Sequence, residues 1–332
     1  MASLLMYGLV SMLVIVALAF FSFIVTYFLT PVLIRRLERN EILGVDLHKA
    51  NKPKVPEMGG LVMLIGFTAA ATLCGFLSLN VKFMLGIILT ATLGAMIGIV
   101  DDIIPFSKKA HVILTLFIGV PIITFRCGST LVYLTPWGSL DLGLLFWLIV
   151  PFVTAFMTNG VNIYAGFNGL EAGLGLITSV SLGICALLYG SIESTVSLFI
   201  LAGTLLAFLK WNVPPAKVLP GNCGSYLIGA VISASIIVGT MKAAGIIACF
   251  PYIINFLLRA RDRFRWTVGE TTPEGLVYSR RINALWALFM HRKPVKEFTV
   301  VRRCWLVQAS FGVSAILLSY FHVMFVAPLL FS

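Results

Sequence analysis

The chain has 332 residues, 59% hydrophobic and 11% charged, with a formal net charge of +11 and a mean hydropathy of +1.01. Soluble domains are nearer a quarter charged, so a soluble enzyme is excluded and an integral membrane protein is expected. Six cysteines lie scattered with no CxxC pair, which argues against a disulfide framework or a zinc site. In such a chain the positive charge reflects basic flanks and anionic partners, not nucleic acid.

Apolar runs of spanning length lie near 4–30, 60–79, 83–100, 111–125, 143–163, 171–190, 194–209, 225–241, 243–258 and 304–331. They predict an all-α, polytopic membrane protein of about ten transmembrane helices forming a single domain over residues 1–332. The first run has no basic n-region and no small-residue cleavage site, so it reads as a spanning helix and not as a removable signal peptide. Connections near 31–59, 101–110, 164–170, 210–224 and 259–303 hold 21 of the 24 lysines and arginines. The bias of basic residues toward cytoplasmic loops therefore puts both termini outside and these connections in the cytoplasm. Ionisable residues sit at helix ends, whereas a channel or carrier should hold them in mid-membrane. The pattern is that of an enzyme working at a membrane surface.

The first connection, GVDLHKANKPKVPEMGG, offers Asp46, Lys49, Lys52 and Glu57. It is either a basic flank with a rigid turn or a substrate loop, with lysines for phosphate and Glu57 accepting from a sugar or base. Asp101 and Asp102 close the third helix. Adjacent carboxylates repel and call for compensation, which Lys108, Lys109 or His111 could supply. In NGVNIYAGFNGLEAG (159–173), Asn159 and Asn162 share a helix face. Beyond a glycine kink at Gly166 come Asn168 and Glu171, the latter suited to the start of the next helix. The stretch WNVPPAKVLPGNCGSYLIGA (211–230) sets Gly221, Asn222 and Ser225 at a helix start with free backbone donors. The last connection carries Arg259, Arg261, Arg263 and Arg265 around Asp262, and guanidinium forks suit a pyrophosphate.

These five connections, in this order, resemble the polyprenyl-phosphate N-acetylhexosamine-1-phosphate transferases, most closely the UDP-GlcNAc:dolichyl-phosphate branch of archaea and eukaryotes. The Asp101-Asp102 pair, NxxNxxxGxNGLEAG and the PGN turn carry the resemblance across nearly the whole chain. It implies transfer of GlcNAc-1-phosphate from UDP-GlcNAc to dolichyl or another polyprenyl phosphate, with Mg²⁺ (or Mn²⁺) as cofactor and a homodimer as a common state. The setting would be the plasma membrane of an archaeal-like prokaryote, or the endoplasmic reticulum if eukaryotic. By the same resemblance Asn162 and Asn222 are metal ligands, and Asp101, Asp102 and His111 are catalytic. Asp46, Leu47, Lys49, Glu57, Asn168, Arg261 and Arg263 would hold substrate, with Leu47 packed on the base. The family has a metal-binding aspartate where this chain has Asn222, and a lysine where it has His111. Asparagine keeps an oxygen ligand but loses a charge, so the chain as written is expected to transfer slowly or not at all. The alternatives are an undecaprenyl-phosphate transferase of cell-wall or surface-polysaccharide synthesis and a relative that binds UDP-sugar without turnover.

Overall fold

The computed structural model describes residues 2–49, 51–77, 80–133, 139–265 and 269–326. The chain is mostly helical. In order it runs α1 (Ala2–Arg39), a hairpin of β1 (Leu43–Val45) and β2 (Lys54–Pro56), α2 (Gly60–Leu77), α3 (Val81–Ile103), α4 (Lys108–Leu116) and α5 (Val120–Thr124). A second hairpin, β3 (Leu131–Tyr133) and β4 (Ser139–Asp141), precedes α6 (Leu144–Tyr164), α7 (Leu170–Leu188), α8 (Ile192–Asn212) and α9 (Gly221–Val238). Then come α10 (Lys242–Ala248), α11 (Phe250–Arg261), a third hairpin of β5 (Glu270–Thr271) and β6 (Val277–Tyr278), and α12 (Glu297–Phe321).

Among the described residues all ten apolar runs fall largely on helix, the second and the last extending beyond them. Seven helices among the described residues (α1, α3, α6, α7, α8, α9 and α12) are long and apolar enough to cross a membrane. An eighth candidate, α10 with α11, is bent by 57°, and Pro251 at the start of α11 marks the break. The α2 stretch and the α4–α5 stretch are apolar but short. Pro121 opens α5 after a 3₁₀ turn, because proline cannot continue the backbone hydrogen-bond ladder. The three hairpins are small departures from an all-α chain.

Helix ends also correct the expected connections. Basic residues taken as loop lie in the last turns of helices, Arg36 and Arg39 on α1 and Arg259 and Arg261 on α11, while Asp101 and Asp102 close α3 as expected. Apolar runs stop at the first charge. Helices do not, because cations are favourable at a C-terminus and long side chains reach outward to water.

Helix α9 is the centre of the bundle, with every residue from Cys223 to Val238 buried. In contrast, α1 and α6 turn Phe20, Phe28, Leu148 and Phe152 outward, each at least 60% exposed, as a lipid-facing surface requires. Apolar lipid gives helices no hydrophobic reason to associate, so close backbone approach through small residues must do the work. A Cβ on Gly98 of α3 would lie 2.5 Å from the Asn222 carbonyl, and one on Gly60 of α2 would lie 2.1 Å from the Gly224 nitrogen. All six cysteines are free and buried, as their apolar surroundings predict.

These two contacts fix the polar end of α9. Gly98→Ala or Gly60→Ala should cost about 1–3 kcal/mol by overpacking, read as a lowered melting temperature in detergent. Gly75, with no atom within 4 Å of its would-be Cβ, serves as the control and should tolerate alanine without loss.

Candidate active site

The site starts from the first turn of α9. Gly221 enters the helix at φ +69°, and a Cβ there would lie 2.7 Å from an Asp102 oxygen. The first N–H groups of a helix lack intrahelical partners. Here Asp102 supplies them, its Oδ1 accepting from the Asn222 N–H at 2.7 Å and its Oδ2 from the Cys223 N–H at 3.1 Å. The donors expected to be free are therefore taken from within the chain. An aspartate at the end of α3 caps α9.

Asp101 points to the other side of the same junction. Its Oδ1 accepts from the Phe106 N–H at 2.8 Å, its Oδ2 accepts from the Asn222 amide nitrogen at 2.7 Å, and His111 Nε2 lies 3.4 Å from Oδ2. Of the three groups offered as compensation for the aspartate pair, His111 is in place; the side chain of Lys108 lies outside the described residues. Asn222 Oδ1 in turn accepts from Asn162 Nδ2 at 2.5 Å. The result is one polar chain, Asn162–Asn222–Asp101–His111, crossing from α6 through α9 to α3 and α4. Asn159, one turn before Asn162, donates instead to Thr115 of α4 at 2.9 Å.

Asn162 and Asn222 form one wall of a cleft of about 240 Å³. It is also lined by Asp46, Leu47, His48 and Glu57 from the first connection, by Phe167, Asn168 and Glu171, and by Asn212 and Ser225. Glu171 stands in the first turn of α7 as expected, and accepts from the Ser225 hydroxyl at 3.1 Å. On the far wall Asn168 Nδ2 donates to Asp46 Oδ2 at 2.7 Å, and the His48 ring stacks on Phe167 with centroids 4.0 Å apart. The Asp101, Asp102 and His111 side chains are behind Asn222 and are not among the lining residues.

Two expectations land elsewhere. Lys49 does not reach for a free phosphate: it is ion-paired with Glu297 at the start of α12 and lies 3.9 Å from Asp46 Oδ2. Arg261 donates to the Ile282 carbonyl at 2.6 Å and lines a second cleft with Arg280, Arg281 and His291. Arg263 is exposed, at φ +54°. The run of alternate arginines straddles the end of α11, so its members diverge instead of lining one surface. Glu297 and His48 escaped the reading of the sequence. A lone glutamate opening an apolar helix looks like an ordinary cap.

Residues 84–240 match the pattern of glycosyl transferase family 4. A provisionally named UDP-N-acetylglucosamine–dolichyl-phosphate N-acetylglucosaminephosphotransferase of Saccharolobus solfataricus is 31% identical over 90% of this chain and 94% of its own length. One of the same name from Sulfolobus acidocaldarius is 31% identical over 93% and 97%. A phospho-N-acetylmuramoyl-pentapeptide-transferase of Desulforamulus reducens is 28% identical over 74% and 82%. The chain belongs to glycosyl transferase family 4. Its relatives place it in the polyprenyl-phosphate N-acetylhexosamine-1-phosphate transferase superfamily, and it is a glycosyl-1-phosphate transferase.

The donors of this transferase suit a hard cation. Mg²⁺ takes oxygen ligands, usually with one or two carboxylates. Turning the Asn162 amide about would set two amide oxygens face to face, with the Asp101 carboxylate next in line. The fit is chemical, but its charge is low. A second group, Asp46, His48 and Glu297, has donor atoms within 4.8 Å of one another. The Lys49 ammonium already pairs with both carboxylates and neutralises one of their two charges.

Burial raises the Glu57 carboxyl above its ordinary 4.5. The folded protein then holds that proton more tightly than the unfolded chain, and this stabilising contribution is full below pH 4.5 and lost as pH rises through the folded value. Glu57→Gln should therefore gain melting temperature over the unaltered protein increasingly from pH 4.5 toward neutrality; a pH-independent difference would show that the charge is not what burial opposes. Asp102→Ala should lower stability by about 1–2 kcal/mol through loss of the α9 cap, measured by denaturation in detergent.

Proposed function

We propose that the protein transfers GlcNAc-1-phosphate from UDP-GlcNAc to a dolichyl-type polyprenyl phosphate, releasing UMP, at the cytoplasmic face of an archaeal plasma membrane. This would be the first step of lipid-linked oligosaccharide assembly for N-glycosylation. The observation that carries the reading is the convergence of the Asp46–Glu57 stretch, Asn162, Asn168 and Asn222, distant in sequence, on one polar cleft. The names of the archaeal relatives support the sugar and the lipid.

In this reading a phosphate oxygen of the acceptor attacks the β-phosphorus of UDP-GlcNAc. A P–O bond forms as the bridging P–O bond to UMP breaks, so one anhydride replaces another and the reaction is reversible. A lipid phosphate is largely dianionic near neutrality, its second pKa being roughly 6, so no general base is required. Positioning and charge neutralisation do the catalysis. Asn168, Asp46, Leu47 and Glu57 would hold the nucleoside. Asn162 and Asn222 would hold Mg²⁺, with the Asp101 carboxylate behind Asn222 lending its charge, and the ion would supply charge neutralisation to the pyrophosphate. His111, facing Asp101 Oδ2, would keep that carboxylate oriented toward Asn222. For the acceptor chain, an apolar groove of about 420 Å³ runs along α6 from Phe146 to Met157, against Ile236 and Ile253. Its inner end stops five residues short of Asn162.

Asn222 favours a second reading, a relative that binds UDP-sugar without turning it over. The test is release of UMP from UDP-GlcNAc with dolichyl phosphate, with Mg²⁺ or with chelator, for the unaltered protein beside Asn222→Asp. Cation-dependent release is expected, faster by about tenfold in Asn222→Asp because the site gains a carboxylate. Saturable UDP binding with no release by either protein, on dolichyl or undecaprenyl phosphate, would establish the binding relative instead.

A further inference from the structure

Glu297 is 5% exposed and opens α12, yet it reaches two connections far away in sequence. Its Oε1 accepts from the Asn168 N–H at 3.0 Å, 129 residues away. Its Oε2 accepts from the Lys49 ammonium, 248 residues away. Asp46 completes the knot, taking Asn168 Nδ2 on its own Oδ2 and lying within 3.9 Å of the same ammonium. We propose that Glu297 is a positioning residue for the nucleotide base: it fixes the backbone of Asn168 and the Lys49–Asp46 pair, so that the Asn168 amide meets the ligand with its oxygen.

The consequence for specificity follows from hydrogen-bond bookkeeping on one side chain. An asparagine amide can turn over and offer either a donor or an acceptor. Here one of the nitrogen's two N–H donors is held by a buried carboxylate, which stops the amide from turning over and fixes the position of the oxygen acceptor. Uracil carries an N–H donor at N3, whereas cytosine carries a bare acceptor there. A fixed acceptor selects uracil, and mismatched buried polar groups are costly enough to discriminate. Stability alone is a poor account of the knot, because a buried ion pair returns little more than the desolvation it costs. What it provides is position, on a wall where His48 and Phe167 also stack.

This inference rests on the UDP-sugar reading, and the test separates the two. UDP and CDP binding would be measured by titration calorimetry on the full-length protein in detergent. The proteins are the unaltered chain, Glu297→Ala, Glu297→Gln and, as a control one turn along α12 on an exposed residue, Arg302→Ala. The expected result is about tenfold weaker UDP binding in Glu297→Ala, with a smaller loss in Glu297→Gln, which keeps an acceptor for the Asn168 N–H. CDP binding should change little, so the preference for UDP shrinks, while Arg302→Ala matches the unaltered protein. UDP affinity within twofold in Glu297→Ala overturns the proposal, as does an equal loss for UDP and CDP. Should Glu297→Ala not fold, Glu297→Gln decides by the same criteria, and failure of both to fold assigns Glu297 to stability and overturns it. No UDP binding by the unaltered protein overturns the parent reading, and this one with it.

Discussion

The geometry of the site hangs on a carboxylate placed at a helix start. A helix N-terminal N–H group left without a partner in a partly buried position costs about 1–3 kcal/mol. Asp102 supplies both acceptors for Asn222 and Cys223. That binds the C-terminal end of α3 to the N-terminal end of α9, and it can do so only because Gly98 and Gly221 let the two backbones meet. Once the junction is closed, the neighbouring Asp101 has one direction left, toward the Asn222 amide and His111. Two adjacent aspartates, alike in sequence, are thereby given different work. One holds helices and the other faces the polar chain that reaches the cleft.

The cleft has two walls built on different principles. The α6–α9 wall is a chain of neutral amides ending in a single carboxylate. The opposite wall, which includes Asp46 and Asn168, is backed by an internal salt knot of Asp46, Glu297 and Lys49. Buried polar networks of this kind specify a geometry when every member is satisfied. The knot joins the first connection, the α6–α7 turn and the last helix. Ligand contacts on that wall are therefore coupled to α12, which contributes no cleft-lining residue itself.

The helices could be read from hydropathy because each apolar run is long compared with the noise of composition. The cleft was legible where the family likeness reached: Asn162, Asn168 and Asn222 line one cleft. What local sequence could not carry was partnership across distance. Glu297 is an unremarkable first-turn glutamate until the fold puts it against Asn168. Lys49 looks like a phosphate ligand until a buried carboxylate claims it. The arginines at 261 and 263 are two apart, a spacing that lines one face only on an extended strand, and here the chain is leaving a helix. Helix ends were misplaced for a related reason: charge marks where the apolar medium stops, not where the backbone ladder stops.

Asn222 shows how far a single atom type can set the character of a site. Its Nδ2 donates to Asp101 while its Oδ1 accepts from Asn162. A carboxylate has no proton to give, so at this position it would face Asp101 as a like charge and would need a cation or a proton between them. The asparagine closes the chain of hydrogen bonds without either. With an aspartate, cation binding and the local geometry would be one event. With the amide, the wall is already formed, and a cation must displace hydrogen bonds that are complete. The amide thus gives up affinity for the ion in exchange for a wall that stands without it.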